Sequence, residues 1–411
     1  MGRLSCGAGV SAMLDFMNQL MAVASPLAWP LVLMLAWLAG EFGHRRIGLP
    51  RISLYALVGF ALAPAQAGLL PAQPPEAVAL LAHIGFGLIL FEVGHRINIR
   101  WLQSNPWLPA TSVVEAVLTF GAVYLLARGF GLPPTTTMLI AALSMATSPV
   151  AVVRVINEQA SAGQVTERLL HLSVMNCVLA VFAFKSVVGQ VIFGTSGSLW
   201  HALYSSAIVL LVSAVLGAVF GYLIPALLRA TDRAVQDSTL AFAIAVVILV
   251  MLTHSLKLSP LLATLTFGMV ARHRRIVLSR AQRGFGILGE LLTLLLFVFV
   301  SSILSWSHLV QGLGLGVALV LVRSLTKVVG VTALARVSGT TWRKGALVGV
   351  AMAPFSVFAV LLLEQTRMAG VDLMSQLAPV AAAALLLEIV GPVLTQQALR
   401  WAYEMPEGQE S

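Results

Sequence analysis

From Leu203 to Leu228 the chain runs without one charged residue, and long apolar stretches of this kind recur along its length. An apolar run of about 20 residues is what a helix needs to cross a bilayer. In lipid every backbone N–H and C=O must be satisfied within the protein, which leaves helices as the structure such runs can adopt. The chain is therefore an all-α polytopic membrane protein. Its composition agrees: 59% of the 411 residues are hydrophobic, 10% are charged and the mean hydropathy is +0.93. A soluble domain carries roughly 25% charged residues.

Thirteen spans are read, near residues 26–42, 52–69, 77–94, 107–127, 136–156, 167–193, 199–228, 238–254, 258–271, 284–304, 309–335, 345–366 and 374–399. The ninth is short and is expected to be broken or partly buried. Basic residues test the count. Loops after odd-numbered spans hold 18 of the 25 Lys and Arg residues, whereas Arg3, Arg128, Lys257 and Arg367 lie on the other side. By the positive-inside rule the N-terminus is outside and the C-terminus cytoplasmic. The net charge of +9 is thus a topology pattern and no sign of a nucleic-acid partner.

Span 5 contains LSMATSPVAVV, with Pro149 near its middle, and span 12 contains VGVAMAPFSVFAV, with Pro354 near its middle. Proline removes a backbone donor and frees a carbonyl one turn earlier. Matched broken helices in two halves of a chain point to a transporter site. An offset of seven spans suits two inverted six-helix repeats, spans 1–6 and 8–13, with crossed broken helices 5 and 12. Thr147, Ser148 and Ser356 add hydroxyl oxygens at the breaks.

Three basic residues lie inside spans: Lys185, Arg323 and Lys327. Such residues are costly in lipid and mark function or a buried partner. Arg323 and Lys327 are four apart, hence on one helix face. They either neutralise the negative ends of the broken helices, pair with an acid, or snorkel to an interface. Glu115 in span 4 and Glu388 near the centre of span 13 are the deep acids. Each is either a structural pairing partner or a proton carrier. Counted together, these five residues leave the core neutral or slightly positive. Cys6 and Cys177 suggest no disulfide or metal framework. With no phosphate-binding glycine loop and no nucleophile beside a base, neither an enzyme nor a cofactor is expected.

At these residues the chain resembles the monovalent cation:proton antiporter superfamily, the sodium/hydrogen exchanger and Kef-type membrane domain. The resemblance rests on IGLPRISLYALVGFALAP, LAHIGFGLILFEVGHRINIRWL, SMATSPVAVVRVI, LSPLLATLTFGMVA and LLLEIVGPVLTQQALR, in that order along the chain. It implies an N-terminal segment at 1–25, an antiporter-like membrane domain at 26–400 and a cytoplasmic tail at 401–411. Within the membrane domain it implies a core (107–193 and 309–400) moving against a dimerisation part (26–94 and 238–304). It further implies a homodimer in the plasma (inner) membrane that exchanges sodium or potassium for protons. In the family the exchanging acid is an aspartate on the sixth span, preceded by Asn or Asp. Here the matching pair is Asn176-Cys177. An unperturbed thiol titrates near 8.5, so Cys177 is a poor ligand for a hard cation and a poor proton carrier.

Three functions follow from that departure. One is a cation:proton antiporter whose acid is supplied by Glu388 or Glu115. A second is an anion or small-solute transporter with Arg323 and Lys327 as counter-charges. The third is a non-transporting membrane sensor or subunit, regulated through a separate cytoplasmic protein. The candidate ion- or substrate-binding residues are Thr147, Ser148, Pro149, Asn176, Cys177, Arg323, Lys327, Glu388, Glu115, Pro354 and Ser356, and no metal site is expected.

Overall fold

A computed structural model describes residues 27–192, 199–230, 238–274, 285–357, 359, 361 and 377–406. Helices dominate these residues. They are α1 (Leu27–Ile47), α2 (Arg51–Ala61), α3 (Glu76–Arg96), α4 (Ile99–Ser104), α5 (Trp107–Gly129), α6 (Pro134–Met145), α7 (Pro149–Glu158), α8 (Gln164–Ile192), α9 (Leu199–Ala230), α10 (Ser238–Ser255), α11 (Pro260–His273), α12 (Gly286–Ser302), α13 (Trp306–Ala333), α14 (Trp342–Ala351) and α15 (Ala378–Trp401). Among the described residues, nine helical segments are long and apolar enough to cross a membrane, and the α6–α7 stretch is one of them.

Local chemistry sets where these helices begin. Pro134, Pro149 and Pro260 each open a helix, where the missing N–H costs nothing. Thr341 caps α14 by accepting from the Lys344 N–H at 3.2 Å. The break expected in span 5 is present: Pro149 is the first residue of α7, after three non-helical residues at 146–148. The ninth span is a continuous helix of 14 residues, α11, with much of its length buried. The loop after α3 carries a short helix, α4. The second half of span 12 and the start of span 13 lie outside the described residues.

The helices pack in two groups. In one, α11 lies against α3 and α9, and α12 against α2 and α3. In the other, α13 lies against α5, α14 and α15, while α6 packs on α5 and α8. The groups meet where α8 packs on α9, α15 on α2 and α7 on α3. The α15 face at that seam carries Ala381, Leu385 and Ile389 against Phe60 and Leu304.

Candidate functional site

The two proline-marked breaks meet. The Ser148 N–H donates to the Pro354 carbonyl at 3.1 Å, and the Thr147 hydroxyl donates to the Met352 carbonyl at 3.4 Å. Ser148 also caps α7, accepting from the Ala151 N–H at 3.2 Å. On the partner segment, Ser356 begins the next helical turn, its carbonyl accepting from the Ala359 N–H at 2.8 Å. Thr147, Ser148, Pro149, Pro354 and Ser356 are thus brought together, and Thr147, Ser148 and Ser356 are buried. Gly391 of α15 lets the second break approach closely: a Cβ there would lie 2.6 Å from Pro354 Cα.

Broken helices leave carbonyls without partners and a partial negative charge of about 0.5 elementary charge at each C-terminal end. Arg323 meets both ends. Its guanidinium donates to Ser144 O (3.0 Å) in the last turn of α6 and Ala146 O (2.6 Å) just past it, and to Ala353 O (2.8 Å) and Pro354 O (3.3 Å) after α14. Lys327 Nζ donates to Met145 O at 3.1 Å and pairs with Glu115 Oε1 at 2.9 Å. Arg323, Lys327 and Glu115 are all fully buried. Two cations therefore face one carboxylate and two helix C-termini, and the cluster is close to neutral.

Glu115 is held from several sides. Thr119 donates to Oε1 at 2.7 Å, and the Asn176 amide donates to Oε2. Ser112 in turn donates to Asn176 Oδ1 at 2.6 Å, and the Thr119 and Thr326 hydroxyls are 3.0 Å apart. Gly330 allows α13 to reach α5 here, since a Cβ would lie 2.9 Å from Glu115 Cα. Ser112, Thr119 and Thr326 were not singled out in the sequence. The signal was available for two of them, because Ser112, Glu115 and Thr119 recur at helical spacing on one stripe of span 4.

Cys177 is buried against the second break, with Sγ 3.6 Å from Ser356 Oγ. The thiol stands where the resemblance puts an acid, and it meets a hydroxyl. Lys185, two turns further along α8, is half-buried and takes no part in this cluster.

Glu388 is different from the other buried acids. Glu92 pairs with Arg96 at 3.0 Å, Glu115 with Lys327, and Glu404 accepts the Val165 and Thr166 N–H groups at 2.8 Å each. Glu388 is 5% exposed, and no cation among the described residues balances it. Ser301 of α12 lies beside it, yet neither Oε1 nor the Ser301 hydroxyl closes a hydrogen bond of good geometry. It stands on the α15 seam face between Leu385 and Ile389, one turn before Gly391 and the second break.

Arg323 and Lys are not equivalent in this geometry. Only a planar fork reaches carbonyls on both half-helices at once. Arg323→Lys leaves buried carbonyls unpaired and is expected to destabilise the protein by at least about 2 kcal/mol, read as earlier loss of the monodisperse peak on heating in detergent.

The chain matches a family model, "sodium/hydrogen exchanger, transmembrane", over residues 31–401. No curated protein matches it. Among solved structures it is similar to the sodium proton antiporter MjNhaP1 from Methanocaldococcus jannaschii at pH 8, with 16% identity and a TM-score of 0.61 over 91% of this chain and 95% of that one. An electron-microscopy structure of the same antiporter gives 18% identity and a TM-score of 0.69 over 93% and 96%. At these identities the likeness carries the fold.

Proposed function

The chain belongs to the sodium/hydrogen exchanger family, and on that premise we propose that it is a secondary active transporter of the cation:proton antiporter type in which Glu388 is the exchanging carboxylate. Family and fold are a transporter's and not an enzyme's, and the protein is a multi-pass membrane protein. One observation carries the assignment to Glu388. It is the described buried acid with neither a cation nor a completed hydrogen-bond set. Glu115 is already committed to Lys327, Asn176 and Thr119.

The physics of the seam supports this role. A bare carboxylate among apolar side chains is costly, whereas a carboxyl carrying its proton is neutral. A sodium or potassium ion that replaces that proton keeps the seam neutral too. One acid occupied by one or the other couples the two flows. In this reading α5–α8 and α13–α15 form the core that moves, α1–α3 and α10–α12 the dimerisation part of a homodimer, and the C-terminal end is cytoplasmic.

The alternative of anion transport drew on the apparent surplus of positive charge. Arg323 and Lys327 are engaged by four carbonyls, by Met145 O and by Glu115, so that cue is lost. Proteoliposomes carrying an interior pH dye test the proposal. Sodium or potassium pulses are expected to drive proton movement. Flux indifferent to both cations but abolished by Arg323→Gln would favour an anion carrier, and no flux under any gradient a sensor.

Cys177 gives a separate expectation. Cys177→Ser keeps the small hydroxyl-compatible contact with Ser356 and leaves cation-driven proton movement within about twofold, since 1 kcal/mol corresponds to roughly fivefold in an equilibrium and this contact is a weaker one. Exchange seen only after Cys177→Asp would remove Glu388 from the role given to it.

A further inference from the structure

A cleft of about 880 Å³ opens between α1 and α12, away from the crossing. The two helices touch at one end, where the Trp29 and Phe299 rings are 6.3 Å apart. Toward the other end they part. Pro30, Leu33, Met34 and Trp37 line one wall, and Leu294, Leu291 and Ile287 line the other. On each helix these positions fall on one stripe. From Pro30 to Glu41 the cleft follows α1 for about 16 Å at 1.5 Å per residue, close to half of the roughly 30 Å hydrocarbon thickness of a bilayer.

One end of the cleft is charged. Glu41, Arg51, Arg154, Glu158 and Glu290 gather there. Arg51 is 3.1 Å from Glu41, and Glu158 is 3.0 Å from His44. Arg154 donates to Gly289 O at 3.4 Å and stands 3.9 Å from Glu92, and the Nε atoms of Arg51 and Arg154 have no acceptor. Glu290 is exposed and has no ion-pair partner among the described residues. The rim is open on the apolar side: Ile287 is 86% exposed and Met34 51%.

A slot one leaflet deep, apolar along its length and charged at a single end, has the form of a phospholipid. We infer that this cleft is a binding site for an aminophospholipid of the phosphatidylethanolamine class. The acyl chain lies between the α1 and α12 stripes, the phosphate meets Arg51 and Arg154, and the ammonium meets Glu290. The signs choose among headgroups. Glu41 is paired with Arg45 and Arg51, and Glu158 with His44 and Arg51, so among the described residues Glu290 is the lining carboxylate left to meet a headgroup cation; a choline headgroup has no N–H to give to it, whereas an ammonium has three. The site would wedge α12, which carries Ser301 beside Glu388, against the end of α7.

Native mass spectrometry of the full chain tests this. Delipidated protein in detergent is offered synthetic phosphatidylethanolamine, phosphatidylcholine or phosphatidylglycerol. The expected result is one phosphatidylethanolamine retained per chain, at least tenfold over the other two. Glu290→Gln is expected to erase that preference, and Met34→Trp, which sets a bulky ring on the wall of the cleft, to reduce the retained lipid. Both residues are exposed, and gel filtration checks that each variant stays folded. Equal retention of the three lipids, a preference for phosphatidylglycerol, or phosphatidylethanolamine retention unchanged in both variants overturns the assignment. None of these outcomes depends on whether the protein exchanges cations for protons.

Discussion

Glu388→Gln is expected to reduce cation-driven proton movement in proteoliposomes to the level of protein-free vesicles, with the protein still folded. The amide matches the carboxyl in shape and is as neutral as the protonated acid, so packing beside Ser301 is retained. What is lost is the group that accepts either a proton or a cation. Glu388→Asp keeps the chemistry with a shorter reach and is expected to retain a reduced flux. The contrast with Glu115 carries the weight of the account. If Glu115 were the exchanging acid, Glu115→Gln would abolish flux at unchanged stability. If Glu115 is a structural partner of Lys327, its replacement acts first on stability.

That second expectation can be stated on its own. Lys327→Met alone is expected to destabilise the protein by about 3–5 kcal/mol, because it leaves the Glu115 carboxylate buried without its cation. Glu115→Gln alone leaves the ammonium buried without its counter-charge, with the new amide oxygen and Met145 O as neutral acceptors. The double variant Glu115→Gln/Lys327→Met removes both charges and is expected to recover most of the loss, since a buried pair replaced as a unit is often close to neutral in stability. Thermal unfolding of the four proteins in one detergent measures the cycle. Additive losses would show that the pair does not act as a unit.

The breaks were legible in the sequence because proline and small residues interrupt an apolar run in a way that needs no tertiary knowledge. Arg323 and Lys327 were legible as a pair because their spacing puts them on one face. Their partners were not. The Lys327 to Glu115 contact joins residues 212 apart and the Arg323 to Ala146 contact residues 177 apart, and no local pattern records which helices meet. Charge counting by residue left the core neutral or slightly positive for the same reason. Backbone carbonyls at broken helix ends carry no letter in a sequence, yet they take up the positive charge that looked surplus. Cys177 was legible as a departure by resemblance, and its neighbour Ser356 was already a candidate. The isolation of Glu388 was not legible, since it depends on what α2 and α12 do not place opposite α15. The α1–α12 cleft was equally hidden, because both of its walls read simply as apolar spans.

The most direct measurement is the number of protons released when the purified protein binds sodium or potassium, obtained by calorimetric titration in two buffers of different ionisation enthalpy. The account predicts proton release on cation binding in the wild type and in Cys177→Ser, and neither cation-linked release nor exchange in Glu388→Gln. Proton release that persists in Glu388→Gln and disappears in a folded Glu115→Gln protein would contradict it.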